Sequence, residues 1–239
     1  MSFDHRHNPV QARIRTLECF KKEKTMSYEV TERNKVKRVP QRAHYDKETL
    51  FQILDAGFLC HVGFVVDGQP FVIPTIYGRE ENKIYLHGAT TSRMIANLKK
   101  GIPVSLTVTH VDGLVLARSA FHHSMNYRSA VVFGTAREVE DDQKEQALFV
   151  VSENIMKGRW DEVRKPNQKE LKATTVLSVE IDQASSKIRT GPPKDETEDY
   201  ELDIWAGVVP LNVVAQSPID DNDLKDGLSP SKIITRYSI

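Results

Sequence analysis

Short runs with apolar residues at alternate positions dominate the middle of the chain, and this spacing is typical of β-strands with one buried face. Residues 58–66 and 70–77 are rich in β-branched and aromatic side chains, and the Asp67-Gly68 pair between them predicts a two-residue hairpin turn. Asp112-Gly113 predicts a second turn. Further strands are predicted at residues 83–87, 103–110, 114–121, 127–139 and 174–181. The chain is therefore expected to be mainly β.

Three helices are predicted among these strands. Asp46 is a good N-cap for a helix that ends near Gly57, and a shorter helix is expected over residues 92–99. Asp141 is expected to cap a third helix that runs to about Met156. Because strands and helices do not alternate as they do in βαβ units, the pattern disfavours a doubly wound nucleotide-binding fold. It predicts an antiparallel, Greek-key type β-barrel with helices packed around it.

Charge divides the 239 residues into three parts. Residues 1–47 hold 12 Lys/Arg against 6 Asp/Glu, whereas residues 192–239 hold 4 against 10. We therefore predict a charged, flexible N-terminal arm over residues 1–43, a barrel domain over residues 44–191 and an acidic C-terminal extension over residues 192–239. Residues 204–214 are apolar enough to dock part of that extension. Lys+Arg and Asp+Glu both total 33, so the net charge of zero argues against a nucleic-acid partner.

Cysteine content and hydropathy indicate the cellular compartment that the protein is expected to occupy. The two cysteines, Cys19 and Cys60, do not make a disulfide framework, and Cys60 lies in an apolar run that predicts burial. No stretch approaches the roughly 20 apolar residues that a membrane span needs. A cytoplasmic protein with no membrane partner is expected.

A turn of small residues before the predicted helix 92–99 is the first candidate site. It follows Gly88 and contains Thr90, Thr91, Ser92 and Arg93. Free backbone N–H groups at a helix start, together with hydroxyl groups and a guanidinium, can bind a phosphate. The alternative is an ordinary capped helix, in which Thr91 or Ser92 bonds the first turn and Arg93 faces water.

His87 ends the strand before this turn and is open to several interpretations. It could be a half-buried strand histidine that donates to a carbonyl, a cofactor contact, a general acid or base, or a haem ligand. No set of His, Cys and Asp residues in the sequence has convincing zinc spacing, so no metal site is predicted.

A second polar and aromatic segment, residues 117–129, leads into a buried strand and contains Asn126, Tyr127, Arg128 and Ser129. Segments of this kind often line a site at the mouth of a barrel. Neighbouring strand residues point to opposite faces, so Tyr127 and Arg128 cannot both face one ligand.

The order of these motifs is specific. Val72-Ile73-Pro74-Thr75 lies on one strand and is followed by Ile84-Tyr85-Leu86-His87-Gly88-Ala89 with Ser92-Arg93, and later by His123-Ser124-Met125-Asn126-Tyr127-Arg128-Ser129. Over residues 38–212 the chain resembles the pyridoxamine 5′-phosphate oxidase-related flavin-binding proteins, and among them the branch related to 5-nitroimidazole resistance reductases.

The resemblance implies a split β-barrel that forms a homodimer and binds FMN at the subunit interface. The implied contacts for the phosphate are Thr91, Ser92 and Arg93, with Gly88 and Thr90 beside them. Ile73, Pro74 and Thr75 would lie along the isoalloxazine ring or ribityl chain, and His87 matches the family histidine near the flavin. Residues 126–129 would complete the pocket, and they could be supplied by the partner subunit.

The chain also departs from the oxidase that gives the family its name. Met94 stands where that enzyme has a basic residue, and its C-terminal substrate-binding arginine and histidine pattern has no clear match. The expected function is therefore an FMN-dependent oxidoreductase that passes electrons from a reduced donor to a small acceptor, with nitroaromatics as one candidate class. His87 is the candidate catalytic residue. The alternative is a non-catalytic haem- or flavin-binding protein, such as a sensor, on the same barrel.

Overall fold

The computed structural model describes residues 26–237, so Cys19 and the first part of the predicted N-terminal arm lie outside the described residues. Nine strands form the sheet: β1 Ala43–His44, β2 Leu59–Val66, β3 Gln69–Glu80, β4 Lys83–Ala89, β5 Pro103–Leu116, β6 Ser124–Glu138, β7 Thr174–Glu180, β8 Gln183–Arg189 and β9 Gly207–Pro210. Five helices accompany it: α1 Lys47–Asp55, α2 Arg93–Leu98, α3 Lys144–Ile155, α4 Gln168–Ala173 and α5 Lys232–Thr235.

The strands close into an antiparallel barrel. Their order is β1-β8-β6-β7-β4-β3-β2-β5-β9, and β5 also pairs with β6, which closes the ring through β2, β3, β4 and β7. Every pairing between these strands is antiparallel. The predicted mainly β barrel is confirmed.

One face of each strand fills the barrel with apolar side chains. Residues that alternate along β2 and β5, such as Val62 and Leu106, are almost fully buried and pair directly across the sheet. Helix α1 adds Leu50, Ile53 and Leu54 to this core. Asp46 caps α1 as predicted, because its Oδ1 accepts a hydrogen bond of 2.8 Å from the Thr49 N–H.

Helix α3 packs on the outer face of β3, β4 and β7. It approaches so closely at Gly78 that a Cβ there would lie 2.7 Å from both the Val150 carbonyl oxygen and the Val151 Cα. A second, smaller apolar cluster lies under this helix and contains Val139, Ala147 and Val176. The helix therefore covers the outer side of these strands, whereas among residues 26–237 no helix packs on the outer face of β2, β5 and β6.

The structure corrects two local predictions. Asp112-Gly113 is not a turn, because β5 continues through it with a β-bulge between Val111 and Gly113. The bulge shifts the alternation by one residue, so that Val115 is buried and Leu114 is exposed. Asp141 is not the cap of α3, because the helix begins two residues after Asp142 and the Asp141 carboxylate pairs instead with Lys144 Nζ at 2.8 Å.

The two ends of the described chain touch the barrel. Tyr28 and Asn34 are buried, and the Asn34 amide donates to the carbonyl oxygens of Glu29 and Ala184. On the other side, β9 pairs with the second half of β5. The three-part division of the chain nevertheless stays a prediction. None of the helices between residues 26 and 237 has the length and apolar character that crossing a bilayer requires.

Candidate functional site

The outer face of β3, β2, β5, β6 and β8 forms one continuous surface. Its rows can be followed by register: Pro74 lies opposite His61, His61 opposite Thr107, and Thr107 opposite Val131. Directly paired residues in an antiparallel sheet project to the same side. The face is small and polar in the middle and carries exposed apolar residues near its margins, with Val72 at 68% and Val65 at 56% exposure.

The three predicted residues of β3 divide between the two faces. Ile73 packs against the core and Thr75 pairs with the buried Cys60, so both side chains are on the inner side. Pro74 is exposed on the outer face. Within this chain, Ile73 and Thr75 can therefore contact an outer-face ligand only through their backbone.

Gly88 allows helix α2 to approach the end of β4, because a Cβ at this position would lie 3.0 Å from Ile95 Cγ1. In the turn that follows, the Thr90 N–H donates to the Ala173 carbonyl at 3.3 Å and the Ser92 N–H to the Ala89 carbonyl at 2.9 Å. Ser92 is the N-cap of α2, yet its side chain makes no capping hydrogen bond. The simple capped-helix interpretation is therefore wrong for Ser92.

Arg93 lies beside Phe71, one of the residues that line an apolar groove. The groove, of about 660 Å³, is lined by residues such as Val65, Phe71, Val72 and Phe133. The guanidinium carbon of Arg93 stands 5.4 Å from the centre of the Phe71 ring. Within residues 26–237, Arg93 has no carboxylate at ion-pair distance. Its charge is therefore available to an anionic group at the border of a surface that suits flat apolar rings.

His87 is half-buried on the outer side of β4, the side that helix α3 covers, and it pairs in register with Val176 of the apolar cluster under that helix. Its Nδ1 atom is buried and, among the described residues, has no hydrogen-bond partner. Burial lowers the pKa of His87 below its usual value, so the ring is neutral at pH 7. A neutral imidazole with an unused nitrogen can accept or donate a proton or bind a metal ion. The proposed carbonyl contact is absent for Nδ1.

The second group lies on β6. Tyr127 and Ser129 pair in register with Arg189 and Lys187 of β8, on the outer face. Arg128 is turned the other way and makes a two-pronged ion pair with Asp112, with its Nη2 2.8 Å from the Asp112 Oδ1. Its charge is thus already neutralised within the chain.

Asn126 is nearly buried and bound to the end of β8. Its Oδ1 accepts a hydrogen bond from Arg189 Nη1, and its Nδ2 donates to the Gly191 carbonyl at 3.2 Å. Asn126 thus fixes the chain after β8, and its amide is used within the chain.

One chain does not bring the two predicted groups together. The first group lies on β3, β4 and α2, whereas the second lies on β6, and β2 and β5 separate β3 from β6 on the open face. Three strand spacings correspond to about 14 Å along a sheet. Within one chain the two groups therefore do not form one compact pocket.

Sequence reasoning missed two features of this surface. Phe71, which receives the Arg93 guanidinium, was visible only as a strand residue. Arg189 is buried with 6% exposure, but its segment has no alternating apolar pattern that would have marked it as a strand. No local signal links it to Asn126, which lies 63 positions earlier in the chain.

Comparison with known proteins places the fold in a family. A model of the pyridoxamine 5′-phosphate oxidase family matches residues 46–188, more than half of the chain. The chain belongs to this family. The matched region contains β2 to β7 and both candidate groups, so the family prediction is confirmed. Among curated proteins, none matches the chain.

Two solved structures are similar over most of their length. The flavocytochrome Anf3 from Azotobacter vinelandii is 38% identical, covers 85% of this chain and 95% of its own, and superposes with a TM-score of 0.80. The FAD and haem binding protein from Mycobacterium smegmatis is 36% identical, with 81% and 95% coverage and a TM-score of 0.78.

A third structure, named for 5-nitroimidazole antibiotic resistance, comes from Bacteroides thetaiotaomicron. It is 24% identical, covers 61% of this chain and 86% of its own, and has a TM-score of 0.53. The predicted likeness to that branch is present, and at this identity it extends to the fold alone.

Proposed function

We propose that the protein is a flavin-binding oxidoreductase that passes electrons between a reduced donor and a small acceptor. The observation that carries this proposal is the Arg93 guanidinium, which has no carboxylate partner among residues 26–237 and lies beside Phe71 of an apolar groove on a barrel of this family. A flavin nucleotide combines a flat ring system with a phosphate, and the groove and the cation match these two parts. The two relatives named for flavocytochrome and for FAD and haem binding support the same class of ligand.

Each residue of the first group has a defined task in this proposal. Arg93 binds the phosphate together with the hydroxyl group of Ser92, which makes no capping hydrogen bond. Thr91 and the backbone N–H groups of the first turn of α2 bind it as well. Gly88 and Thr90 shape the turn, and Pro74 presents an apolar wall. FMN is the form that fits one guanidinium, and FAD is tested beside it because one of the relatives carries FAD in its name.

The second group completes the site from another copy of the chain. Exposed apolar residues, including Val65 and Val72, lie on the open outer face, and burying them would stabilise a homodimer. In such a dimer Tyr127 and Ser129 of one subunit can approach the groove of the other. Arg128 would contribute only if its ion pair with Asp112 were exchanged.

The flavin, when bound, supplies the redox chemistry by accepting and releasing electrons. The residues of the chain bind the phosphate, exclude water from the ring and position a proton. His87 is neutral at pH 7 and can accept a proton at its free nitrogen, and in the imidazolium form it can donate one to an acceptor. We propose His87 as the candidate catalytic residue on this basis.

The test is the absorbance spectrum of the purified protein, before and after addition of FMN, FAD and a reductant. Flavin bands that bleach on reduction are expected, and chromatography of the released cofactor distinguishes FMN from FAD. Turnover of nicotinamide donors and nitroaromatic acceptors then separates an enzyme from a binder. A colourless protein that takes up neither flavin would refute the proposal. Light scattering measures the dimer independently.

Haem binding is the second candidate, and one observation favours it. His87 offers a neutral imidazole with a buried, unused Nδ1, which is the protonation state that an iron ligand needs. A Soret band in the same spectrum that disappears in His87→Ala, with flavin bands retained, would support this role. A Soret band unchanged in His87→Ala would assign the haem ligand to another residue.

A further inference from the structure

A cation cluster beside the second group comprises Lys187 and Arg189, which lie on the outer face of β8, and Arg42, which lies in the turn before β1. Lys187 and Arg189 stand on the same face of β8, and Arg42 ends the short turn that leads into β1, the strand paired with β8. Within residues 26–237, none of the three side chains has a carboxylate at ion-pair distance. Like charges are therefore gathered without a counter-charge.

Arg189 is the central member and only partly satisfied. It is 6% exposed, and its Nε is buried without a hydrogen-bond partner among the described residues. Its Nη1 donates to Asn126 Oδ1 and, over 3.4 Å, to the Gly191 carbonyl, and its Nη2 donates over 3.4 Å to the Pro192 carbonyl. A guanidinium has five N–H donors, so two of them are unused and two of the three contacts are long.

The pKa of Arg189 reflects the same lack of a counter-charge. Burial and the neighbouring charge of Arg42 lower the pKa of Arg189 from its usual value, and the only opposing influence comes from the Tyr127 phenol. Burying a charge without a counter-charge is unfavourable, and a second cation nearby adds to the cost. An anion bound to the cluster would remove this cost.

The residues around the cation cluster indicate which class of ligand it would bind. Lys187 Nζ donates to the Arg38 carbonyl at 3.0 Å, which holds the segment before β1 close to β8. Tyr127 and Ser129 lie directly opposite Arg189 and Lys187 in register, so the cluster adjoins the residues that complete the proposed flavin site. Two guanidinium groups and an ammonium suit a phosphate group better than a single carboxylate, because arginine binds phosphate with paired hydrogen bonds.

We propose that Arg42, Lys187 and Arg189 form a phosphate-binding site that takes the pyrophosphate of a dinucleotide. The site is separate from the turn at residues 90–93 within one chain. It rests on the proposed flavin function for the identity of the dinucleotide, which is either FAD held across the dimer or a nicotinamide dinucleotide that serves as electron donor. The phosphate chemistry is the same for both.

Calorimetric titration of the purified protein with inorganic pyrophosphate tests the site. Arg42→Gln and Lys187→Gln are each expected to weaken binding by about tenfold or more, the effect of losing one charged hydrogen bond. Arg189→Lys keeps the charge but loses the paired geometry and should also weaken binding. Arg137→Gln is the matched control, because Arg137 is exposed and has no ion pair among the described residues, and it should bind as the unaltered protein does.

Affinities for FAD, FMN and NADPH, measured on the same variants, identify the source of the phosphate. Weaker FAD with unchanged FMN assigns the site to the second phosphate of the flavin, and weaker NADPH with unchanged FAD assigns it to the donor. If pyrophosphate binds the Arg42→Gln and Lys187→Gln proteins as tightly as the unaltered one, the inference is wrong. If those variant proteins still show flavin bands, the proposed function stands and only the phosphate site is rejected. If the unaltered protein binds pyrophosphate as expected but takes up no flavin, the proposed function is rejected and the phosphate site stands.

Discussion

Replacing Arg93 with alanine should weaken the binding of FMN much more than that of riboflavin, which has the same ring and ribityl chain but no phosphate. A hydrogen bond to a charged group contributes about 1.5–3 kcal/mol, which corresponds to about a 10- to 150-fold change in Kd. Because Arg93 is exposed and partly screened by water, we expect a value near the lower end of this range for FMN. Riboflavin should lose less than about threefold, because the groove lined by Phe71 and Val72 is unchanged.

The fold should tolerate this replacement. Among the described residues, the Arg93 guanidinium contacts the Phe71 ring at 5.4 Å, and an exposed cation–π contact contributes about 0.5–1 kcal/mol. For a domain of this size that loss lowers the melting temperature by only a few degrees. Loss of FMN binding therefore cannot be explained by unfolding if the circular dichroism melt is nearly unchanged.

Fluorescence quenching of each flavin during titration measures the two affinities. Arg93→Lys keeps a positive charge but cannot form paired hydrogen bonds, so its affinity for FMN should fall between those of the unaltered protein and Arg93→Ala. Arg137→Ala removes an unpaired, exposed arginine elsewhere and should change neither affinity. An equal loss of FMN and riboflavin in Arg93→Ala would show that Arg93 does not bind the phosphate.

Two further predictions concern stability. Gly78→Ala places a methyl group 2.7 Å from the backbone of α3, so we expect a loss of about 1–3 kcal/mol in urea unfolding, and an unchanged midpoint would contradict this close approach. The Asp195 carboxylate is partly desolvated, but the N–H groups of Arg118 and Ser119 and the Arg118 guanidinium outweigh this and lower its pKa. Its stabilisation should be complete above the unfolded pKa of 3.8 and should be lost as the pH falls through the lowered folded pKa. Asp195→Asn should therefore melt earlier than the unaltered protein at pH 7, and this difference should shrink steadily as the pH is lowered below 3.8, whereas the exposed Asp203→Asn should melt normally throughout. A difference between Asp195→Asn and the unaltered protein that does not shrink at all down to the lowest pH at which both remain folded would refute the role of the charge.

The sequence correctly predicted those elements that are determined by residues adjacent in the chain. Asp67 and Gly68 both have positive φ angles, 51° and 80°, as a two-residue hairpin requires, and the strands on either side pair from the turn outward. The same type of dipeptide at Asp112-Gly113 failed as a turn signal. There the Asp112 side chain is held by Arg128 and the strand is continued by pairing with β9, and both partners are distant in sequence.

Strand β8 could not be predicted for a related reason. Its buried residues are the small Ala184, Ser185 and Ser186 in succession and the charged Arg189, so it has no apolar period. It becomes a strand because it pairs with β6 along its whole length and with β1 at its centre. The cation cluster was missed together with β8, because its members come from segments about 145 residues apart. The turn at residues 90–93 was found because all of its donors are adjacent in the sequence.

The arrangement of the outer face links cofactor binding to assembly in the proposed dimer. The Arg93 groove and the residues Tyr127 and Ser129 lie on the same open surface but are separated by β2 and β5. A two-fold axis across this surface would place the β6 residues of one subunit against the groove of the other, twice, because a symmetric interface repeats every contact. Each flavin would then contact both subunits, and its binding energy would add to the stability of the dimer. The small, polar residues in the middle of the face, such as Gly63 and Ser105, allow close approach of the second copy, whereas the exposed valines at its margin, Val65 and Val72, provide the apolar area. In the proposed dimer the site and the interface would therefore be built from one surface, and residues of this surface that face neither the core nor a ligand in one chain would gain a function in the assembly.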